Sequence, residues 1–546
     1  MAASYTGGDL VVDLLAAKGV ERIFSVSGGP INALYHGTVG RPVRIVHTRH
    51  EAAAAFMAEG TGRATRIPGV CAVTLGPAIT NTVTAALVGT RAGVPFLIIG
   101  GQAPVAVLDK EAIMSFDHLP IMAPVTKYAA RVLDTDRIEE YVETAWRIML
   151  AGRPGPAFLE IPVDILGGPA RSPSMADRED AGSGPGLNPD DNKELSRIIA
   201  ASRRPFLIAG DDVHWSDAGA ELAETIDHFN APFFTARLSR GAIDEKDPRW
   251  AGVGYLGGNP ALREAMASAD LVVLVGHDME AGLGYGDLIS KSATIVHCHP
   301  DAAIVGRYLR PNLGIVARSD IVLRAITAGP SPKRDRDWCD RIVTMWNDEW
   351  SRIDALGNEA NNGIHPARLT TLLEAAVPAN TTFVTSHGNI DFWADAALRI
   401  SPPGRYMRAG QSGALGAEIP FGIAAKMEDP NQTVIVIVGD GGFGFHGLEL
   451  ETAIRYGVPL VIVIYDDAKW GAIALPQGRS YGNEVEMDLP HRSWTEVAEA
   501  LGGYGEYVSS EDQVAPALER ALSSGLPAVL QVQVRSVESP YVRFHS

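Results

Sequence analysis

The sequence predicts an α/β protein with three doubly wound parallel sheets, and three observations lead to that fold class. Short, almost continuous apolar runs alternate with helical patterns, as expected of parallel strands that helices cover on both faces. Two stretches rich in Gly, Pro, Ser and Asp, residues 167–191 and 329–337, interrupt this alternation and are predicted to be linkers. The chain has 546 residues, too many for one hydrophobic core, and this length favours several domains.

The predicted domains cover residues 1–166, 191–328 and 360–546. Because the carboxyl ends of neighbouring parallel strands open on the same edge of a sheet, side chains that follow those strands are candidates for a site. The predicted strands are residues 22–26, 43–47, 70–74 and 95–99 in the first domain, 205–209, 271–276 and 294–297 in the second, and 382–385, 433–438, 460–465 and 529–534 in the third.

Composition and charge limit the class of partner. The net charge of −18 disfavours nucleic acid and anionic membranes, since both require clustered positive charge. No apolar run reaches the ~18 residues that span a bilayer, and the first residues lack a basic segment followed by a long apolar stretch. The cysteines, Cys71, Cys298 and Cys339, show no metal-ligand spacing. We therefore expect a cytoplasmic protein that acts on small molecules.

A metal-bridged diphosphate site is predicted from two strand ends in the third domain. One apolar run ends at Gly439-Asp440-Gly441, a helical pattern follows, and a second run ends at Asp466-Asp467. A parallel strand–helix–strand unit brings Asp440 and Asp467 to the same edge. Mg²⁺ takes oxygen ligands and leaves room for phosphate oxygens, while glycines let backbone N–H groups approach a phosphate. Ordinary turn acids in a core unit are the alternative interpretation.

The same segment also fits a dinucleotide-binding fingerprint. Residues 442–447 match G-x-G-x-x-G, and Asp466 follows near the end of the next strand. A lone match of this kind is weak evidence. Asp440 would lie where the pyrophosphate must come, with Glu449 and Glu451 just behind it, and bare carboxylates repel a diphosphate unless a cation bridges them. The metal site is therefore favoured over nicotinamide binding.

Glu51 is predicted to lie at a helix N-terminus on the carboxyl edge of the first sheet. It follows the strand at residues 43–47 and precedes an alanine-rich helical pattern. By position alone, a favourable interaction with the helix dipole, worth ~0.3–1 kcal/mol, explains an acid there. A role in a site at this edge is the alternative.

Together these motifs resemble the thiamine-diphosphate (ThDP) enzyme family, in particular its acetolactate-synthase-like and 2-hydroxyacyl-CoA-lyase-like group. Residues 439–442 and 465–467 resemble the family's diphosphate signature, and residues 49–51 resemble its Arg-His-Glu element. The resemblance covers essentially the whole chain and implies a pyrimidine-binding, a central Rossmann-like and a diphosphate-binding domain, in that order. One departure is Asp466, which stands where the family usually has Asn and makes the expected site more acidic.

The resemblance implies that Asp440, Asp467 and the backbone carbonyl of Lys469 bind Mg²⁺. It also places Leu415 where the family presents a bulky apolar side chain beneath the cofactor. The residues expected to bind the cofactor are Gly388, Asn389, Gly413, Leu415, Gly439, Asp440, Gly441, Gly442, Asp467 and Lys469.

The resemblance assigns Glu51 a hydrogen bond to the aminopyrimidine ring of the cofactor. That bond favours the imino tautomer, whose nitrogen removes the C2 proton of the thiazolium. Glu51 should then hold or share a proton near neutral pH, which burial among apolar residues favours. In the family one subunit supplies this glutamate and its neighbour supplies the diphosphate site. A homodimer is therefore the minimum assembly, and a homotetramer is expected.

The residues expected to border the substrate carry less specific signals. Relatives often have Phe-Gln-Glu where this chain has Ile113-Met114-Ser115, and the missing amide argues against strict acetohydroxyacid synthase specificity. The expected pocket residues are Gly28, Gly29, Met114, Phe116, His118, His446 and Trp470.

The central segment resembles the flavin- or ADP-binding domain of the same group. Residues 276–278 and 298–301 fall at strand ends where an adenine nucleotide can lie. FAD, ADP and no nucleotide all remain open at this point.

The predicted function is that of a ThDP- and Mg²⁺-dependent carboligase or lyase of acetolactate-synthase type. Such an enzyme decarboxylates a 2-oxo acid such as pyruvate and joins the acyl unit to a second carbonyl, giving an acyloin or acetohydroxyacid. The first alternative is a 2-hydroxyacyl-CoA or oxalyl-CoA lyase, acting on aldehyde or acyl substrates. The second is a catalytically silent member with a structural or regulatory role, against which the joint presence of Glu51, Asp440, Asp467 and Leu415 argues.

Overall fold

The computed structural model describes residues 5–173, 186–255, 259–358, 363–385, 387–402 and 404–540. Three six-stranded sheets follow one another along this part of the chain, and their strands pair in parallel throughout. The sheets are flanked by helices, so the predicted fold class is confirmed. No helix in the described ranges is both long and apolar enough to cross a membrane.

The first sheet consists of β1 Arg22–Val26, β2 Arg44–His47, β3 Gly69–Val73, β4 Phe96–Gln102, β5 Tyr128–Arg131 and β6 Ala157–Pro162. Its strand order is β2-β1-β3-β4-β6-β5. The first four strands lie where they were predicted, whereas β5 and β6 were not predicted. The helices of this segment are α1 Gly7–Ala17, α2 Asn32–Gly37, α3 Glu51–Thr65, α4 Pro77–Thr80, α5 Val83–Ala92, α6 Leu119–Met122, α7 Ile138–Leu150 and α8 Val163–Gly167.

The second sheet consists of β7 Pro205–Ala209, β8 Phe233–Thr235, β9 Trp250–Val253, β10 Leu271–Val275, β11 Thr294–His299 and β12 Leu313–Val316. Its strand order is β12-β11-β10-β7-β8-β9. Only β7, β10 and β11 were predicted. The helices of this segment are α9 Pro189–Ala201, α10 Asp212–Trp215, α11 Gly219–Phe229, α12 Pro260–Ser268 and α13 Ser319–Ala328.

One long helix, α14 Arg336–Gly357, connects the second sheet to the third. Its first half contributes Trp338 and Trp346 to the core under the second sheet. Its second half places Ile353 against Trp393 of the third segment. The helix begins within the last residues of the predicted break at 329–337. The other predicted linker, residues 167–191, includes residues 174–185, which lie outside the described residues.

The third sheet consists of β13 Thr381–Thr385, β14 Arg405–Arg408, β15 Thr433–Gly439, β16 Val461–Asp466, β17 Tyr504–Val508 and β18 Ala528–Gln533. Its strand order is β14-β13-β15-β16-β18-β17. Here β13, β15, β16 and β18 were predicted. The helices of this segment are α15 Pro366–Ala376, α16 Asn389–Ala397, α17 Glu418–Glu428, α18 Asp440–His446, α19 Leu450–Arg455, α20 Gly471–Tyr481, α21 Trp494–Leu501 and α22 Glu511–Ser523.

The first and third segments pack together through α3 and α17, and one hydrophobic core runs through both. The helices approach closely at Gly60, where a Cβ atom would lie 3.0 Å from the Cβ of Ala424 and 3.1 Å from the Cα of Phe421. At the far end of α17, Glu428 accepts hydrogen bonds of 2.8 Å from both Thr61 and Arg22. This contact fixes α3, and with it Glu51, against the third segment.

Candidate active site

A cavity of about 190 Å³ opens at the carboxyl edge of the third sheet, where β13, β15 and β16 end. Every residue expected to bind the cofactor lines it, and so does Trp470, which was expected to border the substrate. The other lining residues, which were not predicted, are His387, Ile390, Gly471, Ala472 and Ile473.

Two adjacent strand ends bring Asp440 and Asp467 to this cavity. Gly439 is the partner of Tyr465 in the register of β15 and β16, so the residues that follow the two strands emerge side by side. Glycine is required in the turn after β15, because a Cβ atom on Gly441 would lie 2.5 Å from the ring of Trp470. The turn thereby presents backbone N–H groups to the cavity at the start of α18.

The two carboxyl groups lie beside each other and are largely withdrawn from solvent. Burial, and then the charge of Asp467, raises the pKa of Asp440 to about 7. Burial also raises the pKa of Asp467 to about 6, opposed by the nearby Ser536 hydroxyl. Oδ2 of Asp467 is buried and has no hydrogen-bond partner among the described residues. A buried, unpartnered carboxylate oxygen next to a second carboxylate fits a divalent cation.

The ammonium group of Lys469 is engaged by other side chains, so its backbone carbonyl is the group expected to face the cavity. Its Nζ atom is 2.5 Å from Glu484 and 3.3 Å from Asp488, so the ammonium group is already paired. The preceding residue, Ala468, adopts a left-handed conformation with φ of 51°, which is unusual for a residue with a side chain. Such backbone strain is found mainly where a site requires it. The tight turn supports the expectation that the Lys469 carbonyl is a ligand.

Asp466, which departs from the family pattern, does not line the cavity. Its carboxylate accepts a hydrogen bond of 2.7 Å from the Gln531 side chain and one of 3.2 Å from the backbone N–H of Ala468. It still contributes to raising the pKa of both Asp440 and Asp467. The extra acid therefore acts through its charge and by holding the turn, outside the first ring of cavity residues.

Gly388 and Asn389 form the opposite wall at the N-terminus of α16. Gly388 has a φ of 125°, a conformation that favours glycine. The Asn389 side chain holds the C-terminal segment, donating to the carbonyl of Val537 at 2.7 Å and accepting from the N–H of Ser539 at 2.8 Å. Both ends of the side-chain amide are thus engaged within the protein, and the backbone N–H groups of this helix start remain for an anion.

Glu51 is the first residue of α3, as expected. Its Oε2 atom accepts a hydrogen bond of 2.9 Å from the amide of Asn81. The residues that follow it in the helix, from Ala52 to Phe56, are buried. Asn81 was not predicted, because an amide after a short helix gives no signal in the sequence that it contacts a residue thirty positions earlier.

Glu449 is a second residue that sequence reasoning did not find. It is buried, and its carboxylate accepts hydrogen bonds of 3.0 Å from the backbone N–H groups of Arg49 and His50. It thereby holds the turn that leads into Glu51 against the third segment. The separation of about four hundred residues left no local pattern that could have revealed this contact.

Most of the residues expected to border the substrate lie in the first segment. A Cβ atom on Gly28 would be 2.4 Å from Thr74, whereas a Cβ atom on Gly29 would have no atom within 4 Å. Met114 and Phe116 expose 49% and 39% of their surface, which is a large fraction for apolar side chains. These residues gather at the carboxyl edge of the first sheet.

His118 is completely buried, and both of its ring nitrogens are engaged. Nε2 accepts a hydrogen bond of 3.0 Å from the N–H of Gly76, and Nδ1 contacts the carboxylate of Glu160. The Gln102 amide nitrogen lies 3.2 Å from the same Nδ1 and 3.1 Å from the carbonyl of Phe116. In this chain His118 therefore pins the loop at the sheet edge, and it has no ring nitrogen left for a substrate.

His446 lies between the first and third segments and not in the wall of the cavity. Its Nδ1 is 2.8 Å from the carbonyl of Gly416, and its ring lies 5.8 Å from that of His50 and 5.9 Å from that of Phe56. Burial lowers its pKa, so the ring is neutral at pH 7.

Within one chain the cavity and Glu51 are not brought together. Across the described ranges, the lining comes only from residues 387–473, and neither Glu51 nor any other residue of the first segment contributes to it. The residues that line the cavity suit a metal ion and a diphosphate. None of them is an acid that could contact the aminopyrimidine ring at the other end of the cofactor.

Comparison with known proteins identifies the family to which this geometry belongs. Residues 5–121, 193–326 and 386–532 match, respectively, the N-terminal TPP binding domain, the central domain and the C-terminal TPP binding domain of thiamine pyrophosphate enzymes. The chain belongs to the thiamine pyrophosphate enzyme family. It is therefore a ThDP-dependent enzyme by family, and the ThDP cofactor is supported by both of its TPP binding domains.

Relatives of two kinds resemble this ThDP enzyme over nearly its whole length. It is 30% identical to the acetolactate synthase large subunit of Mycobacterium tuberculosis, with 96% of this chain and 95% of the relative covered. It is 27% identical to the acetolactate synthase of Bacillus subtilis, with 97% and 93% covered. It is also 28% identical to the 2-hydroxyacyl-CoA lyase 2 of Bos taurus, with 98% and 90% covered.

Proposed function

We propose that this enzyme is a carboligase of the acetolactate synthase type that requires ThDP and Mg²⁺. It would decarboxylate a 2-oxo acid such as pyruvate and join the acyl unit to a second carbonyl. The observation that carries the proposal is the cavity lined by Asp440, Asp467 and Lys469. In it, Oδ2 of Asp467 is buried and has no hydrogen-bond partner among the described residues. The acetolactate synthases among its relatives support this reaction over others of the family.

Different residues of the cavity would bind the metal ion and the diphosphate. Asp440, Asp467 and the carbonyl of Lys469 would hold Mg²⁺, and the N–H groups after Gly439 and Gly388 would bind the diphosphate oxygens. Leu415, in the cavity wall, would support the thiazolium ring from below. When bound, ThDP supplies the carbon nucleophile and the electron sink of the reaction, while the protein orients it and excludes water.

Glu51 would hold the proton that sets the tautomer of the aminopyrimidine ring. The hydrogen bond from Asn81 fixes the orientation of its carboxyl group. Glu51 directly precedes the buried apolar residues at the start of α3, from Ala52 to Phe56. Glu449 would position Glu51 indirectly by holding the two preceding backbone N–H groups.

A homodimer is the smallest assembly that completes this site, with a homotetramer as the expected state. The cavity of one copy is lined by its third segment alone, and a second copy would supply Glu51 together with the exposed Met114 and Phe116. Burial of these two apolar side chains would add to the stability of the interface.

The central domain does not fit the diphosphate of FAD or ADP. The turn after β7, where such a diphosphate would lie, contains Asp211 and Asp212. Asp212 already accepts hydrogen bonds of 2.8 Å and 2.7 Å from the N–H and hydroxyl of Ser319, and Asp211 accepts from the N–H of Leu238. The charges of two carboxylates in this turn would repel a diphosphate. We therefore propose that the domain is structural, and a purified protein without a flavin absorption band would agree.

The most direct test of the reaction is a product assay with ThDP, Mg²⁺ and pyruvate. We expect CO₂ and acetolactate to form, with kcat about 10²–10⁴-fold lower for Glu51→Gln because the proton at this position is lost. Glu21→Gln, which alters a side chain that is 71% exposed, is the matched control and should leave the rate unchanged. Equal, very low rates in wild type and Glu51→Gln would contradict an active synthase and favour a silent family member.

A lyase acting on 2-hydroxyacyl-CoA is the second candidate, because the Bos taurus relative of that name matches over 98% of this chain. The same assay separates the two when 2-hydroxyacyl-CoA or oxalyl-CoA replaces pyruvate. Release of an aldehyde from the former, or of CO₂ from the latter, without acetolactate from pyruvate would favour a lyase.

We further propose a cytoplasmic location. The three cysteines are all buried and unpaired, in agreement with a reducing compartment.

A further inference from the structure

A second cavity lies where the three segments of one chain meet, and we call it the junction cavity. Its volume is about 240 Å³, and it shares no lining residue with the cofactor cavity. Its wall is built by the C-terminal end of α3, by α10 and residues 238–242 of the central segment, and by the start of β14. Four of its lining residues are cations from three different segments, namely Arg63, Arg66, Arg240 and Arg405.

Two of these guanidinium groups are buried and paired inside the fold. Arg240 contacts Glu245 at 2.7 Å with both side chains fully buried. Arg63 contacts Glu59 at 2.5 Å. Burial raises the pKa of Glu59, and the charge and hydrogen bonds of Arg63 oppose that shift. Arg240 also contacts the buried Asp395 at 3.1 Å, so these two guanidinium groups are largely compensated.

The other two cations are less well compensated. Arg66 pairs with Asp217 at 3.0 Å, but the Asp217 side chain is 73% exposed, so water screens its charge. Arg405 donates to the backbone carbonyl of Ala64, and no carboxylate of the described chain lies within ion-pair distance of it. Burial, and then the charge of Arg66, lowers the pKa of Arg405, while the charges of Asp429 and of Asp217, which also lines the cavity, oppose that shift.

His214 adds a neutral acceptor to the same wall. The ring of His214 makes a hydrogen bond to the backbone of Arg63, and this bond raises the pKa of His214. The ring nitrogen in that bond is therefore the one that carries the proton and donates it. Its other nitrogen, Nε2, is buried and has no partner among the described residues. Burial and the neighbouring arginines lower the pKa of His214 to about 3. The ring is therefore neutral at pH 7, and Nε2 can only accept a hydrogen bond.

We propose that the junction cavity binds a small phosphate-type dianion that also carries an O–H group, either free monohydrogen phosphate or a hydroxyl-bearing phosphate ester. Guanidinium groups are suited to phosphate oxygens, which they bind through charge-assisted hydrogen bonds. The acceptor Nε2 of His214 matches the O–H. Sulfate has the same charge and shape but no proton, so it would place an oxygen lone pair against that acceptor. A bound anion would also tie the three segments together.

The test is a calorimetric titration of inorganic phosphate into the holoenzyme, with ThDP and Mg²⁺ bound so that the cofactor cavity is filled. We expect one phosphate per chain, with sulfate binding about tenfold more weakly or worse. Arg405→Gln should weaken phosphate binding about tenfold or more, since a charge-assisted bond is lost. Arg197→Gln, which removes an exposed arginine paired with Glu194, is the control and should bind phosphate as the wild type does.

Two further variants keep the test decisive if Arg405→Gln fails to fold. Arg66 exposes 36% of its side chain, so Arg66→Gln should fold and still weaken binding. His214→Gln provides a donor as well as an acceptor and should reduce the preference for phosphate over sulfate. Tighter binding of glycerol phosphate than of phosphate would identify an ester as the occupant. Absence of phosphate binding, equal binding of sulfate by the wild type, or binding unchanged in both arginine variants would overturn the proposal.

Discussion

At the scale of single residues, the strand ends of the third sheet decide where the cofactor chemistry lies. Asp440 and Asp467 were predicted as neighbours because their strands end at one edge, and the paired register of Gly439 and Tyr465 agrees with that reasoning. Their role as metal ligands remains a prediction. Asn81 and Glu449 could not be predicted, because each contacts the region of Glu51 through the fold and not through a local pattern.

The raised pKa of Asp440 predicts a pH-dependent stability. Without Mg²⁺ this pKa is about 7 in the folded protein against an ordinary 3.8, so between these values the folded state binds more protons than the unfolded state. The metal-free protein should therefore lose stability as pH rises from about 4 to about 7. Added Mg²⁺ with ThDP replaces the proton, and its stabilising effect should grow over the same range.

The measurement is the melting temperature at several pH values, with and without Mg²⁺ and ThDP. Asp440→Asn should reduce the destabilisation by rising pH, leaving the part that comes from Asp467, and should abolish the effect of Mg²⁺. Glu21→Gln, in which an exposed carboxylate is removed, should retain both. An Asp440→Asn protein that Mg²⁺ and ThDP stabilise as strongly as the wild type would refute the metal site.

At the scale of elements, buried strands were predicted well and edge strands poorly. β15 and β16, whose central residues are all buried, have the continuous apolar runs that identify a parallel strand. β5, β12 and β17 lie at sheet edges, and their partly exposed residues carry no such run. β6 is central but was also missed, because its apolar run is short and contains the buried Glu160 and a proline.

The close contact between α3 and α17 predicts that Gly60 cannot take a side chain without cost. In Gly60→Ala the new methyl group would lie 3.0 Å from Ala424 and 3.1 Å from the backbone of Phe421, so the helices must separate. We expect a loss of about 1–3 kcal/mol in the free energy of unfolding, measured by denaturant titration. Gly167→Ala is the control, since no atom lies within 4 Å of its added Cβ. Equal midpoints for the two variants would contradict the tight packing described here.

At the scale of the whole molecule, three α/β segments are predicted from the sequence, but their mutual arrangement is not. The alternation of strands and helices repeats within each segment and is visible locally. The buried contacts that join the segments, such as Arg240 with Asp395 at 3.1 Å, connect residues far apart in the chain. A cofactor cavity lined by the third segment alone is likewise a property of the assembled fold, and it leads to the proposal that the active site needs two copies.

Activity of a mixed oligomer tests that central claim most directly. Glu51→Gln and Asp440→Asn chains are co-expressed with different tags, and the mixed species is purified through both. In a mixed dimer one site carries both substitutions and the other carries none, so about half of the wild-type specific activity should return, although each parent is inactive. A mixed oligomer as inactive as its parents would show that the glutamate and the paired aspartates do not meet across two chains.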